Sequence, residues 1–548
     1  MESINIVYEF KGNIVRESFL NLNGSNSHFT IETKTKDNKT VSTLNLKKGI
    51  IIKLLSVYIK KDEIYSNDTQ VFCNGYSSYS FSSIYNKYEK QDKLGLIANF
   101  LTKKTGLKYY SDYYFYDKKI KKGIFRSYSY SYINKNGVYK LYGSNNENFA
   151  YTIFRHNMRN NSLEIYKDVV GRVIKSTTVL FDFSILEGSY SVLNDYFKSI
   201  SKKKIRKATK LKGYTSGSYN FRNINEESLM YPLLSLDEGN LFQIDDGYES
   251  FVGDWLNISK EKFPNSFYPL LKTAKTKGVL TGIWLAPFIC EKNSLIFKNH
   301  PDFILKNEKN KPFYLGDNWS GFYALDILNL EVQAYLEKVF SYFINLGFDF
   351  FKVDYLYAAS VLPRNNFTRS ELMNFATNLI KKWSKDKLIL GCDLPLSSAY
   401  NKFDYCKISS DITLTLSRNF ITKLILKFSG LSSNSSLVNT ILRNPLDNNV
   451  FINYAGLYML NKENNKLDKS KRVALAKINR MFSGLNLTSD DLSKLKEEMK
   501  EFNKSLDNLS NVSIIDIKKY VSTYKIKLKD GLDIFEIDYN YLGGYLLD

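Results

Sequence analysis

The sequence predicts an α/β protein: a (β/α)8 barrel of the TIM type, preceded by an antiparallel β-sandwich and followed by a short C-terminal β region. Three observations carry this. Between about residues 210 and 495, short apolar runs alternate with stretches of helical periodicity, the pattern of a parallel sheet covered by helices. Several of those runs end on aspartates (Asp245 and Asp246, Asp354, Asp393, Asp411), and in a closed parallel barrel the C-terminal ends of the strands share one mouth. Residues 1 to about 195 instead alternate apolar with polar in β-branched and aromatic segments broken by Gly, Asn, Asp and Lys, as antiparallel strands do.

Taken in order, His28 to Thr33, Leu163 to Tyr166 and Thr178 to Phe183 read as strands of the N-terminal sandwich, assigned to residues 1–195. A basic linker is expected over 196–212, where Lys202, Lys203, Lys204, Arg206, Lys207, Lys210 and Lys212 cluster. The barrel is assigned to 213–505, with strands at Gly213 to Ser216, Leu241 to Ile244, Val279 to Leu285, Phe348 to Val353, Leu388 to Gly391, Tyr405 to Ile408, Val450 to Ile452 and Gly484 to Leu487. Between them, Val332, Tyr335, Leu336, Val339, Phe340, Phe343 and Ile344 follow the spacing of a core-facing helix that stops at Gly347, and Leu372, Phe375, Ala376, Leu379, Ile380 and Trp383 mark a second. Eight such units, with no Gly-x-Gly-x-x-Gly turn, favour a closed barrel over a dinucleotide-binding sheet. Residues 506–548 are expected to form a short β tail capping the barrel.

Composition narrows the function. The net charge of +21 comes from lysines spread through almost every loop rather than along one face, so no nucleic-acid partner is expected. No apolar stretch is long enough to span a bilayer and no basic start precedes an apolar segment, so neither a membrane nor an export signal is expected. The four cysteines (Cys73, Cys290, Cys392, Cys406) lack framework or metal spacing, which fits a cytoplasmic location. With only His28, His156 and His300 available, no metal and no cofactor is expected.

Carboxylates converging beside tryptophans suit sugars, which present hydroxyls at the ring edge and C–H groups on its face. Glycoside cleavage uses one carboxylate at the anomeric carbon and one carboxylic acid at the leaving oxygen. Asp354 and Asp411 end the fourth and sixth expected strands. Lys352, two residues before Asp354, shares its side of the strand and favours its ionised form. Asp411 would need a raised pKa to act as the acid. Trp255 and Trp284 stand near in sequence.

Phe242-Gln-Ile-Asp-Asp-Gly-Tyr, Gly253-Asp-Trp, Gly282-Ile-Trp-Leu-Ala-Pro-Phe, Phe351-Lys-Val-Asp-Tyr, Leu390-Gly-Cys-Asp and Lys407-Ile-Ser-Ser-Asp occur in this order. This series resembles glycoside hydrolase family 36, the α-galactosidase (melibiase) family, whose relatives also act on α-N-acetylgalactosaminides. The resemblance covers about residues 205 to 495. It implies that Asp354 is the nucleophile and Asp411 the acid/base of a retaining α-galactosidase acting on small α-galactosides. It further implies that Asp245, Asp246 and Lys352 bind galactose hydroxyls, that Trp284 and Cys392 line the pocket, and that Tyr76 is delivered from the sandwich. Trp255, Asp393 and Lys407 are the remaining candidate substrate contacts.

The chain also departs from the family. Gly217 stands where a large aromatic residue is usual, and is expected to open the pocket wall. Lys407 replaces an arginine, and Asp393 replaces a glycine, adding bulk and charge near the place of the sugar 2-substituent. Asn453-Tyr-Ala-Gly follows the seventh strand in place of the usual Asn-Asp-Pro-Asp. These departures leave open another α-glycoside, glycosyl transfer, or a weakly active sugar-binding protein.

Overall fold

The computed structural model describes residues 2–91, 109–112, 115, 121–201, 209–217, 222–411, 433–461, 467–509, 512–540 and 545–547. Its centre is a closed barrel of eight parallel strands: Leu211–Thr215, Leu241–Ile244, Leu280–Leu285, Phe350–Val353, Leu388–Gly391, Tyr405–Lys407, Ile452–Tyr454 and Leu485–Thr488. Each expected run overlaps one strand. The seventh starts two residues late because Val450 finishes a turn, its N–H bonded to the carbonyl of Leu446. Leu241, Phe350, Leu390, Tyr405, Ile452 and Leu485 fill the barrel as one buried cluster, a packed interior and not a pore.

Periodicity placed the covering helices well. Leu330–Leu346 buries Val332, Leu336, Val339, Phe340 and Phe343, and ends at Gly347, whose φ of 107° no β-carbon favours. Arg369–Trp383 begins with a reciprocal cap in which Thr368 and Glu371 bind each other's backbone N–H.

The N-terminal region forms two antiparallel sheets of seven and eight strands. They share a core that includes Ile4, Tyr8, Leu44, Leu54, Phe154 and Phe181, as alternating sequences require. A helix, Val192–Ile200, follows, with Tyr196 and Phe197 buried. The densest part of the basic run, Lys202 to Lys207, lies outside the described residues. Lys212 belongs to the first barrel strand and pairs with Asp507 at 2.9 Å.

The C-terminal meander of Ser513–Tyr520, Thr523–Asp530, Asp533–Asn540 and Tyr545–Leu547 is not simply a barrel cap. Gln70 Nε2 donates to the Lys519 carbonyl at 2.7 Å, Ser83 Oγ meets Tyr524 OH at 2.9 Å, and Lys519 pairs with Glu89 at 2.7 Å. These contacts brace the sandwich.

One sandwich loop, residues 74–82, reaches the barrel mouth. It is held by Arg443, which is fully buried behind the helix Ser433–Leu442. Its Nη2 donates to the carbonyls of Ser77 at 3.0 Å and Ser80 at 3.1 Å, its Nε donates to Asn74 Oδ1 at 3.2 Å and Ser82 Oγ at 3.0 Å, and its Nη1 reaches the carbonyl of Ile408. A planar fork of donors suits this convergence of oxygens.

Candidate active site

Asp354 follows the fourth strand and is buried. Its Oδ2 accepts from the Trp284 indole at 3.1 Å, and its Oδ1 from the backbone N–H of Tyr355 at 2.9 Å. Trp284 and Lys352 are register partners on adjacent strands, which explains why indole and ammonium flank the same carboxylate. Lys352 Nζ lies 2.6 Å from Asp245 Oδ2. Burial pulls the Lys352 pKa down, but Asp245 and Asp354 more than offset it and hold the ammonium charged.

Two strands further round, Lys407 Nζ lies 2.6 Å from Asp411 Oδ1 and 3.2 Å from Tyr79 OH. Tyr79 in turn donates to Asp411 Oδ2 at 2.5 Å. Partial desolvation by the protein around it pushes the half-exposed Asp411 carboxyl up, yet the Lys407 charge and the hydrogen bonds from Lys407 and Tyr79 outweigh it and bring the pKa down to about 2. The raised value expected of an acid is therefore not what this arrangement gives. Asp393, by contrast, is 2% exposed and accepts from Ser78 Oγ at 3.3 Å and Tyr110 OH at 3.1 Å. Burial and the Asp354 charge raise its pKa well above the carboxylate range. It adds the expected bulk, and its surroundings disfavour the expected charge.

The third side holds Asp246. Its Oδ2 accepts from the Trp319 indole at 2.8 Å, and Arg222 Nε stands 3.4 Å from its Oδ1. Trp319 comes from an inserted three-stranded sheet, Ile289–Glu291, Tyr314–Gly316 and Phe322–Ala324, and lies 5.4 Å from the Tyr355 ring and 6.4 Å from Trp284. Trp319, Tyr355 and Asp393 all have positive φ, at 54°, 52° and 55°. Such backbone is uncommon outside glycine and collects at binding sites. Among the described residues no group of three or more His, Cys, Asp or Glu could hold a metal ion.

The melibiase family model matches residues 223–373, a stretch that holds Asp245, Asp246, Trp284, Lys352 and Asp354. This segment of the barrel is thus of the melibiase type, that of a glycoside hydrolase. The α-galactosidase of Escherichia coli is 31% identical over 106 residues, which are 18% of this chain and 14% of that protein. α-Galactosidase AgaA of Geobacillus stearothermophilus is 34% identical over 109 residues, 20% of this chain and 14% of that one. The chain thus spans about a seventh of the length of the curated relatives it matches. In fold the likeness is wider. TtGalA, an α-galactosidase from Thermus thermophilus solved with stachyose, superposes with a TM-score of 0.69 at 18% identity, over 88% of this chain and 99% of that one. The family 36 α-galactosidase AgaA gives 0.61 at 11% identity, over 93% and 73%.

Within the melibiase-type barrel, Asp245, Asp246, Trp284, Lys352, Asp354, Cys392, Asp393, Lys407 and Asp411 all lie at or beside the strands' C-terminal ends. Two expected contacts lie elsewhere. Trp255 is fully buried behind Trp284, packed edge-on at 5.6 Å. Tyr76 packs edge-on against Tyr128 and Tyr151, and from the same loop it is Tyr79 and Ser78 that meet the carboxylates. Chain direction explains this: between the two positions the loop turns back, with the Ser80 N–H bonded to the Ser77 carbonyl. Gly217 does not simply open a wall, since a β-carbon there would stand 3.0 Å from Asp245 Oδ2 and 3.1 Å from its Cγ. Sequence reasoning missed Tyr79, Tyr110, Trp319 and Arg222. Only Trp319 left a signal, a tryptophan between Gly316 and Gly321 in a loop following the third strand.

Proposed function

We propose that the protein is a retaining α-galactosidase that removes terminal α-galactosyl residues from small oligosaccharides. The observation that carries this reading is the Asp354 carboxylate, fixed through both oxygens by Trp284 and the Tyr355 amide at the mouth of the barrel, with Lys352 and Lys407 among the charges around it. The complexes of the Thermus thermophilus enzyme with stachyose and with p-nitrophenyl α-D-galactopyranoside support an α-galactoside as substrate. Four free, buried cysteines support a reducing, cytoplasmic setting; among the described residues no helix is long and apolar enough to cross a membrane.

In this mechanism Asp354 attacks the anomeric carbon while the bond to the leaving oxygen breaks and that oxygen takes a proton from Asp411. Asp411 then deprotonates a water that attacks the same carbon and releases Asp354, so configuration is retained. Lys407 and Tyr79 favour the ionised form of Asp411, the form needed for the second half-reaction. For the first, the incoming sugar has to displace one of these donors so that Asp411 can hold a proton. Lys352, Asp245 and Asp246 supply charged partners for ring hydroxyls.

The test is turnover of nitrophenyl α-galactoside against its N-acetylgalactosaminide analogue. Asp354→Ala should abolish it, because no covalent intermediate can form. Asp411→Ala should retain part of the rate with this good leaving group and be rescued by azide, with a retained azide product. Absence of turnover on every α-glycoside in a panel would remove the proposal.

A further inference from the structure

We propose that Trp319, Tyr355 and Tyr110 form a strip of aromatic faces that binds the leaving-group sugars of an α-galactosyl oligosaccharide, so that such a substrate is preferred over a galactoside with no sugar beyond the bond that breaks. This rests on the α-galactosidase reading.

The three rings come from separate parts of the chain and follow one another along one side of the barrel mouth. Trp319, from the inserted sheet, lies 5.4 Å from Tyr355, which follows the fourth strand, and Tyr355 lies 6.2 Å from Tyr110 of the N-terminal region. Tyr110 in turn lies 4.6 Å from Tyr79, whose hydroxyl donates to Asp411. At the opposite end the Trp319 indole donates to Asp246. The strip therefore runs from a carboxylate read as a galactose contact to the one read as the acid/base. All three rings are half-buried, whereas the rings packed against them, Phe322 and Tyr357, are buried. Phe322 meets Trp319 at 5.5 Å and Tyr355 at 5.3 Å, and Tyr357 meets Tyr110 at 5.2 Å, each edge-on.

The polar tips of the strip are already engaged within the protein. The Trp319 N–H donates to Asp246 Oδ2 at 2.8 Å, the Tyr355 hydroxyl accepts from Asn318 Nδ2 at 2.7 Å, and the Tyr110 hydroxyl donates to Asp393 Oδ2 at 3.1 Å. What these residues have left to offer is ring face, and the C–H face of a pyranose packs on such a surface while its hydroxyls stay at the ring edge. Trp319 and Tyr355 also hold left-handed backbone, with φ of 54° and 52°, a costly conformation that collects at ligand sites. The leaving oxygen has to meet Asp411, so the sugar attached to it emerges beside Tyr79 and Tyr110, and further sugars continue along Tyr355 towards Trp319.

The test uses the full chain with stachyose and with α-galactosyl fluoride, whose leaving group has no ring. Trp319→Leu and Tyr355→Leu should each lower kcat/KM on stachyose roughly tenfold more than on the fluoride, the order expected for losing one aromatic face. Trp319→Phe keeps a face and drops only the N–H, so it should retain most of the stachyose preference. In Asp354→Ala, where no covalent intermediate can form, calorimetry should show stachyose binding roughly tenfold tighter than galactose, and adding Trp319→Leu should remove that margin. Equal losses on the two substrates, or stachyose binding no tighter than galactose, would overturn the proposal. Absence of wild-type turnover on both substrates would instead count against the α-galactosidase reading, and the binding series would still decide whether the strip takes sugars.

Discussion

Removing one hydroxyl should change when Asp411 carries a proton. The Asp411 carboxylate is bound by Lys407 at 2.6 Å and Tyr79 at 2.5 Å, which bring its pKa down to about 2. Tyr79→Phe keeps the ring that packs 4.6 Å from Tyr110 and under Lys407, and deletes only the donor. A hydrogen bond to a charged group contributes about 1.5 to 3 kcal/mol. Asp411 is half exposed, so solvent screening points to the lower end, which corresponds to about one pKa unit. The sign follows from the role: a general acid works when protonated, so raising its pKa extends activity to higher pH. With an α-galactosyl oligosaccharide, whose leaving group needs protonation, Tyr79→Phe should move the alkaline limb of kcat/KM up by about one unit and raise the rate above it. With nitrophenyl α-galactoside the gain should be small. A limb that stays in place would refute the reasoning, because the Tyr79 hydrogen bond would then not govern the proton on Asp411.

Other substitutions probe the packing that holds the site. Gly217→Ala should lower kcat/KM on nitrophenyl α-galactoside by roughly tenfold, the loss of one well-placed contact, because its β-carbon presses on the Asp245 carboxylate paired with Lys352; unchanged kinetics would mean that Asp245 yields without consequence. Arg443→Met should destabilise the protein by about 3 kcal/mol, the scale of leaving several buried carbonyls unsatisfied, measured by denaturant unfolding. A loss below about 1 kcal/mol would show that loop 74–82 is held by other contacts. Prolonged dialysis against a chelator should leave activity unchanged, since two carboxylates carry the chemistry; restoration by a divalent ion alone would refute that.

By itself the sequence determined the barrel, its helices and the acidic mouth. Each rests on local regularity: apolar runs of strand length, apolar spacing along Leu330–Leu346 with Gly347 behind it, and aspartates placed where strands end. Burial against a single core fixes such patterns, so they can be read without knowing what lies opposite. The family motifs added roles, since they name positions within the same regular elements. What tertiary structure alone decided is what meets the aspartates from elsewhere in the chain. Tyr79 and Ser78 arrive from a sandwich loop more than three hundred residues from Asp411 and Asp393 in sequence, and Trp319 from an inserted sheet, and no periodicity relates them to the strands they face. Ionisation followed the same rule. Asp393 and Asp411 look alike as acids after strands, but one is buried among phenols beside Asp354 while the other is bound to an ammonium and a phenol. A carboxyl's pKa depends on the charges and donors within a few ångströms of it, and those neighbours exist only once the chain has folded.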